Sequence, residues 1–169
     1  MLGASIGQVP VGHPHISGQL RMSDWRTDQQ TSDRMRRVRR EHTAPEMVVR
    51  RLLHAMGYRY VLHDKRLPGH PDMVFPGRGK VIFIHGCFWH GHGCPRSTLP
   101  RSNAHLWAAK IQRNVVRDGQ VVRRLRAAGW SVAVVWECAL KVSTLDALAK
   151  RLARFLDRPN NCKQPAREA

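Results

Sequence analysis

The segment at residues 85–94, HGCFWHGHGC, holds three histidines, two cysteines, a phenylalanine and a tryptophan in ten positions. A loop of this composition could be a metal-binding knuckle, part of an active site or a surface that contacts a partner. We interpret it as serving all three roles with different residues. The rest of the sequence indicates which residue takes which role.

The chain carries a large excess of positive charge. Lysine and arginine number 29 against 12 acidic residues, for a net charge of +17. These charges extend from Arg34 to Arg154 rather than clustering in a tail. The distribution favours a polyanionic partner over a basic surface that only confers solubility. An anionic membrane fits less well, because the sequence has no long apolar run and no basic amphipathic helix with an aromatic face.

A chain of 169 residues can form one domain with a core that needs no disulfides. We expect a disordered N-terminal extension at 1–22, which is rich in glycine, proline, histidine and serine. A folded domain at 23–157 and a flexible tail at 158–169 follow. Met22 is a second candidate start.

The cysteines are interpreted through the expected compartment. The N-terminus lacks the features of a secretory signal, and no segment approaches the ~18 apolar residues of a membrane span. We therefore expect a cytoplasmic protein, in which four cysteines favour metal ligation or free thiols over disulfides. Cys162 stands in the polar tail and is expected to be a bystander.

The hydrophobic pattern predicts the secondary structure. A helix follows the N-cap Thr43 and stops at Gly57, and alternation at Tyr58, Tyr60 and Leu62 indicates a strand. Two strands in LPGHPDMVF and GRGKVIFIHG follow, then a helix at about 103–128, a strand in WSVAVVWE and a helix in TLDALAKRLARFLD. The residues of the long helix expected to face inward are Leu106, Ile111, Val115, Val122 and Leu125. The order αβββαβα predicts an α/β fold with a mixed central sheet flanked by helices.

Cysteine and histidine in the loop suggest a structural zinc site. Zinc takes four such ligands in a tetrahedron, and a closed set leaves no position for a substrate. Cys87, His90, His92 and Cys94 could form the set alone. We favour Cys87, His92, Cys94 and Cys138, because Cys138 would tie the loop to the end of the fourth strand. The alternative is free cysteines with incidental histidines.

This choice leaves His85 and His90 without a metal ion. Histidines beside a rigid knuckle are candidates for general acid or base catalysis near neutral pH. From spacing alone, an ordinary structural role fits each of them equally well.

Three carboxylates are candidates for catalysis. Asp72 opens a strand, and magnesium usually takes only one or two carboxylates from a protein. A turn-capping aspartate is the simpler interpretation of its position. Glu46 completes a capping box with Thr43, and Asp118 on the long helix fits a surface charge. Spacing alone therefore assigns neither Glu46 nor Asp118 to catalysis.

Phe88 and Trp89 are large apolar residues on a loop of glycine and histidine, and a core position explains them poorly. Side chains of this type act as wedges between DNA base steps.

Six motifs together resemble the Vsr family of very short patch repair DNA mismatch endonucleases. They are TAPE, LPGHPDMVF, VIFIHGCFWHGHGC, KIQRNVVRD, GW and VVWECAL, and the match covers about residues 24–157. The combination of HGCFWH and WECAL is the most specific part. The resemblance implies a restriction-endonuclease-like fold. It also implies an endonuclease that nicks 5′ of the thymine in T:G mismatches, which arise when 5-methylcytosine deaminates.

The resemblance further implies which residues hold magnesium. Asp72 matches the magnesium-binding aspartate, and Glu46 matches a helix glutamate near the metal-bound waters. Ile84 stands where we would expect a threonine. If the family uses the backbone carbonyl at this position as a ligand, the change is harmless, whereas a hydroxyl ligand would be lost.

For proton transfer, His90 matches the general-base histidine and Asp118 an aspartate beside it. His85 matches a second active-site histidine, which stands where related nucleases usually carry a lysine. We expect His85 to contact the scissile phosphate or to assist the leaving group.

The remaining matches concern zinc and DNA. The residues that match the family's structural zinc ligands are Cys87, His92, Cys94 and Cys138, in agreement with the choice made above. Phe88 and Trp89 match aromatics that wedge into DNA beside the mismatch. Met35 aligns with an apolar residue that inserts from the opposite side.

The expected partner is double-stranded DNA with a T:G mismatch, with mismatch-repair proteins as further candidates and no membrane. We expect a monomer at the nucleoid of a bacterial cytoplasm. Two alternatives stand beside this prediction: a restriction-like nickase without mismatch specificity, and a non-catalytic zinc-stabilised DNA-binding module.

Overall fold

A computed structural model of the chain describes residues 41–160. The predicted extension at 1–22, Met22, Met35 and Cys162 lie outside these residues, as does most of the predicted tail. Within the described part of the chain, no helix is both long and apolar enough to cross a membrane.

Helix α1 (Ala44–Ala55) begins and ends as its sequence predicts. The side chain of Thr43 accepts from the backbone N–H of Glu46, and the Thr43 hydroxyl donates to Glu46 Oε1 at 3.0 Å. The chain leaves the helix through Gly57, whose φ of 86° a residue with a β-carbon rarely adopts. Val49 and Leu53 are fully buried, so one face of α1 packs into the core.

Four strands form one mixed sheet in the order β1-β2-β3-β4. Their bounds are Val61–Leu62, Met73–Phe75, Lys80–His85 and Ser131–Trp136. The β1/β2 and β2/β3 pairs are antiparallel, whereas β3 and β4 are parallel. Every residue of β3 is buried, as expected for a central strand covered on both faces. The predicted mixed sheet flanked by helices is confirmed.

Helices cover both faces of this sheet. Helices α1 and α3 (Leu145–Asp157) pack on one face, where Leu53, Leu148 and Leu152 join a cluster with Phe75 and Ile82. Helix α2 (Ala104–Ala127) packs on the other face, where Leu125 meets Val74, Val81 and Phe83. The result is a three-layer α/β/α arrangement with the sheet, including β3 and β4, as the middle layer.

Two details differ from the sequence prediction. The first strand is shorter than the predicted alternation, because Tyr58 and Tyr60 pack against the core as part of an irregular segment. Tyr58 donates to Asp157 and Tyr60 donates to the backbone carbonyl of Arg50. On α2, Leu106, Ile111 and Leu125 are buried, but Val115 is 39% exposed because it faces the loop at 85–94 rather than the sheet.

Candidate active site and metal centre

Asp72 lies at the start of β2, beside the end of β3. Antiparallel pairing sets Met73 opposite Ile82, so Asp72 neighbours the last residues of β3. Its Oδ2 atom accepts a hydrogen bond from the backbone N–H of Ile84 at 2.7 Å. The fold therefore brings together the two residues predicted to hold magnesium.

The carboxyl group of Asp72 has an unusual pKa. Burial raises the pKa from its ordinary value of 3.8 to about 6, and the negative charge of Glu46 adds to this effect. The hydrogen bond from Ile84 and the positive charge of Arg50 oppose it. A carboxylate in this environment gains from a nearby cation, so the donor set fits a magnesium ion.

Glu46 is almost fully buried, and both of its carboxylate oxygens have partners. Oε1 accepts from the Thr43 hydroxyl at 3.0 Å. Oε2 accepts from the backbone N–H of His42 at 3.0 Å and from Arg50 at 2.8 Å. The capping box predicted from the sequence is present, and it also fixes the Glu46 carboxylate next to Asp72.

Sequence reasoning missed two residues of this cluster, Arg50 and His63. A nitrogen of the His63 ring lies within 4.8 Å of both the Glu46 and Asp72 carboxylate oxygens. Arg50 lies between Glu46 and His63, with its Nη2 atom 2.7 Å from His63 Nε2. An arginine within the buried face of an amphipathic helix was the available signal, because buried arginines are rare unless they are paired.

His85 and His90 form the second part of the site, with their rings stacked 3.8 Å apart and nearly parallel. His85 ends β3, while His90 lies on the following loop, where its backbone N–H donates to the Gly86 carbonyl. Asp118 on α2 lies within hydrogen-bonding distance of His90, with 2.5 Å between its Oδ2 atom and His90 Nδ1. The three residues predicted to handle protons therefore lie together.

The pKa shifts of His85 and Asp118 have opposite consequences for charge: His85 is neutral and Asp118 is an anion. Burial lowers the pKa of His85 to about 4, and the neighbouring His90 adds to this effect, so His85 is neutral at physiological pH. Burial opposes ionisation of Asp118, but the hydrogen bond with His90 and the nearby positive charges outweigh it and lower the pKa. Asp118 is therefore an anion that can accept the Nδ1 proton of His90, which leaves His90 Nε2 free to accept a proton.

Cys87, His92, Cys94 and Cys138 form a separate cluster, and one ligand atom of each lies within 4.8 Å of the others. Cys138 Sγ lies 3.4 Å from His92 Nδ1. Three sulfurs and one imidazole nitrogen match the ligand types of a closed zinc site. His90 stays outside this cluster, so the geometry favours the set that includes Cys138 over the one confined to the loop.

The thiols of this cluster have opposite acidities. A hydrogen bond from His92 lowers the pKa of Cys94 to about 6, whereas burial raises the pKa of Cys87 to about 12. Several thiolates cannot share such a small volume unless a cation balances their charge. The donor set therefore fits a metal ion, and metal binding would release protons from the thiols.

Trp136 connects the cysteine cluster to the stacked pair His85 and His90. The His92 ring stacks on its indole at 4.3 Å, and the His85 ring meets the same indole edge-on at 5.3 Å. Because Trp136 pairs with His85 in the parallel β3/β4 register, one strand pair positions both groups.

Phe88 and Trp89 lie side by side, half-buried, at the surface of the loop. They form an aromatic cluster with Trp107 of α2, whose ring lies 5.4 Å from Phe88 and 5.9 Å from Trp89. The Lys110 ammonium lies 5.5 Å from the Trp89 ring centre. Trp107 and Lys110 were not predicted as site residues, since at helical spacing they resemble ordinary packing and surface positions.

Two glycines let the site loops approach α2 closely. Gly91 has a φ of 62°, and a β-carbon there would lie 3.0 Å from side-chain atoms of Ile111 and Val115. Gly69, with a φ of 76°, has no room for a β-carbon beside Val121. The loops before β2 and after β3 therefore both rest on the helix that carries Asp118.

Comparison with known proteins shows the family to which the chain belongs. The family described as DNA mismatch endonuclease Vsr matches residues 23–96. The type II nicking enzyme V.XorIIP of Xanthomonas oryzae pv. oryzae is 54% identical over 123 residues, which cover 73% of this chain and 89% of that protein. The type II nicking enzyme V.NmeAIP of Neisseria meningitidis serogroup A is 42% identical, with 71% and 86% covered. The DNA mismatch endonuclease Vsr of Escherichia coli is 38% identical, with 80% and 88% covered.

The alignments cover most of the length of each of these relatives, so the similarity extends beyond a shared motif. This similarity to enzymes agrees with the prediction of an endonuclease and argues against the alternative of a non-catalytic DNA-binding module. The chain belongs to the Vsr family and is a DNA endonuclease.

Proposed function

We propose that this endonuclease recognises T:G mismatches and nicks the strand 5′ of the mismatched thymine in a magnesium-dependent reaction. The observation that carries the proposal is the meeting of two groups at the end of β3. Asp72 accepts from the backbone of Ile84, and the next residue, His85, stacks on His90, which pairs with Asp118. Phosphodiester hydrolysis needs both a cation near the phosphate and a base for the attacking water.

The side chains divide the reaction between them. His90, whose Nδ1–H donates a hydrogen bond to Asp118, accepts the proton of the attacking water at Nε2. Neutral His85 contacts the scissile phosphate or assists the leaving group. Asp72 and the Ile84 carbonyl would hold Mg²⁺, which supplies positive charge to the transition state when it is bound. Because a carbonyl is present on every residue, isoleucine at position 84 is compatible with this role.

Glu46 has a supporting role in this scheme. Its carboxylate is held by Thr43, His42 and Arg50, so its charge is fixed before substrate arrives. A preorganised charge of this kind would orient water near a bound magnesium ion without a further rearrangement.

We further propose that zinc occupies the cluster of Cys87, His92, Cys94 and Cys138. Four protein ligands leave such an ion no free position, so its role is structural. It would fix the loop that carries His90 and the aromatic pair relative to β4.

Phe88 and Trp89 are the proposed wedge into DNA. Their position beside the histidines supports this role, as does the nearby Lys110 ammonium, which can contact phosphate. Met35 as the opposing wedge stays a prediction. We propose that the enzyme acts as a monomer on chromosomal DNA in the bacterial cytoplasm, with mismatch-repair proteins as candidate partners.

A direct test compares nicking of three duplexes that have the same sequence except at one position, which is T:G, T:A or C:G. Each duplex is assayed with and without Mg²⁺. We expect a single nick 5′ of the thymine in the T:G duplex, with Mg²⁺ only. Mapping the cut on each end-labelled strand identifies the strand and the position. Equal nicking of all three duplexes would contradict mismatch specificity.

A second function is favoured by the relatives named as type II nicking enzymes. On this alternative the protein nicks a specific sequence regardless of mismatch. The same duplex panel, placed in several sequence contexts, distinguishes the two functions.

A further inference from the structure

The cluster formed by Glu46, His63 and Asp72 contains a nitrogen donor that the proposed magnesium site does not use. One ligand atom from each residue lies within 4.8 Å of the other two. The Glu46 side chain is only 4% exposed and that of His63 only 15%. Two carboxylates and an imidazole thus converge at a largely buried position.

The hydrogen bonds of His63 determine which ring nitrogen carries its proton. Arg50 Nη2 lies 2.7 Å from His63 Nε2, and a guanidinium can only donate. A hydrogen bond between these two atoms therefore requires Nε2 to be the acceptor, which is the tautomer with the hydrogen on Nδ1. The Nε2 atom also lies 3.6 Å from Glu46 Oε2, so the nitrogen that accepts from Arg50 is close to a carboxylate of the cluster.

His63 has an unusual backbone conformation, which indicates that the position of its side chain is specific. His63 directly follows β1 with a φ of 46°, a conformation that residues with a β-carbon rarely adopt. The contacts of the ring with Arg50 and Glu46 hold it in this position. The guanidinium of Arg50 supplies positive charge beside His63 and Glu46.

We propose that His63 is a direct ligand in the Asp72 metal site, so that the site binds a first-row transition ion such as Mn²⁺ more tightly than Mg²⁺. Magnesium prefers oxygen ligands, whereas transition ions accept imidazole nitrogen readily. An entering ion takes over the lone pair of Nε2, while Arg50 keeps its bonds to Glu46 and His42. The inference rests on the proposed role of Asp72 as the metal-binding carboxylate.

The test uses Mn²⁺ as the probe, because Mn²⁺ competes weakly for thiolates and leaves the cysteine cluster to zinc. Full-length protein, purified with zinc and without DNA, is titrated with Mn²⁺ and the free ion is followed by electron paramagnetic resonance. Pulsed measurements on the bound ion detect the hyperfine coupling of a directly bonded nitrogen. Mg²⁺ affinity is measured by its competition with Mn²⁺.

His42→Gln is the matched control for His63→Gln. The His42 ring also accepts from Arg50, at 2.8 Å, but it contributes no donor atom to the cluster. We expect His63→Gln to weaken Mn²⁺ binding by about tenfold or more and to abolish the nitrogen coupling. Mg²⁺ binding should change far less, and His42→Gln should behave as wild type. Thermal melting of both variants checks that they fold.

Several results would overturn the inference. The first is that the wild-type protein binds Mn²⁺ no more tightly than Mg²⁺. The second is that bound Mn²⁺ shows no nitrogen coupling. The third is that His63→Gln and His42→Gln weaken Mn²⁺ binding equally. His90→Gln is a further control, since nitrogen coupling lost in this variant but kept in His63→Gln would assign the ligand to the other histidine pair. Nicking of T:G duplexes in Mg²⁺ is a separate measurement, so failure of the proposed function is distinguishable from failure of this inference.

Discussion

His90 Nδ1 and Asp118 Oδ2 lie 2.5 Å apart, although the two residues come from a loop and from the middle of α2. The contact is charge-assisted and partly buried, with about a fifth of each side chain exposed. It orients the imidazole so that Nε2 faces away from Asp118. Within the proposed mechanism, Asp118 is a positioning residue for the base.

Replacing Asp118 with asparagine should therefore slow nicking more than it weakens DNA binding. We predict a fall in the single-turnover rate of about a hundredfold, which is the lower range for loss of a general base. Asp146→Asn is the matched control, since it removes the same charge from an exposed position on α3. Equal rates for the two variants would contradict the role of Asp118.

Substitution of Asp72 by asparagine separates binding from cleavage. We predict no detectable nicking of a T:G duplex in Mg²⁺, because the metal loses its carboxylate ligand. DNA affinity should change little, since we attribute it to the basic surface and the proposed aromatic wedge. Parallel gel-shift and nicking assays measure both properties, and retained cleavage would refute the assignment.

The same variant should stabilise the protein at neutral pH when no Mg²⁺ is added. The folded state holds a proton on Asp72 up to about pH 6, whereas an ordinary carboxyl group loses it near 3.8. Stability therefore falls as the pH rises between these values, and the full penalty applies above about 6. Asp72→Asn removes this penalty, so its melting temperature should exceed that of wild type at neutral pH but not near pH 4. Melting curves across this range provide the measurement.

Cys138→Ser should lower both the zinc content and the melting temperature. The binding energy of a structural metal ion contributes directly to folding, and this variant removes a ligand that ties β4 to the loop. Cys162→Ser, at the predicted bystander, serves as the control. If Cys138→Ser kept one zinc per chain and melted like the control, the proposed ligand set would be wrong.

Trp89→Ala should weaken binding to T:G duplexes more than to T:A duplexes. A wobble pair is easier to unstack than a matched step, so an inserted ring costs less free energy there. We predict a loss of about 1 kcal/mol or more on T:G, comparable to a base-stacking contact, with little change on T:A. Titrations of both duplexes at one salt concentration make the comparison. Equal losses would indicate a general role in packing or DNA contact.

Local patterns in the sequence predicted the helices and strands but not every member of the site. The capping box at Thr43 and Glu46, the stop at Gly57 and the buried run of β3 depend on neighbouring residues, so they can be read from the sequence directly. Arg50 and His63 were missed because their partnership joins segments separated by a turn and a strand.

The distances within the site also had to come from the structure. Cys138 was selected as a candidate because it ends a strand, but only the parallel β3/β4 pairing brings it to His92. Trp107 was overlooked since a tryptophan at helical spacing usually belongs to the core. Its contacts with Phe88 and Trp89 arise from the packing of α2 against the loop.

The parallel pairing of β3 with β4 has a consequence for synthesis of the chain on the ribosome. β3 can pair with β2 as soon as it is made, but its parallel neighbour β4 is absent until residues 131–136 have been translated, and Cys138 follows only after them. Asp118 is also translated after His85 and His90. A nascent chain that contains HGCFWHGHGC but has not yet reached Asp118 therefore lacks both the hydrogen-bond partner of His90 and the last cysteine of the cluster. On the proposed mechanism, such a fragment would lack the partner of the general base and would be unable to complete the zinc site.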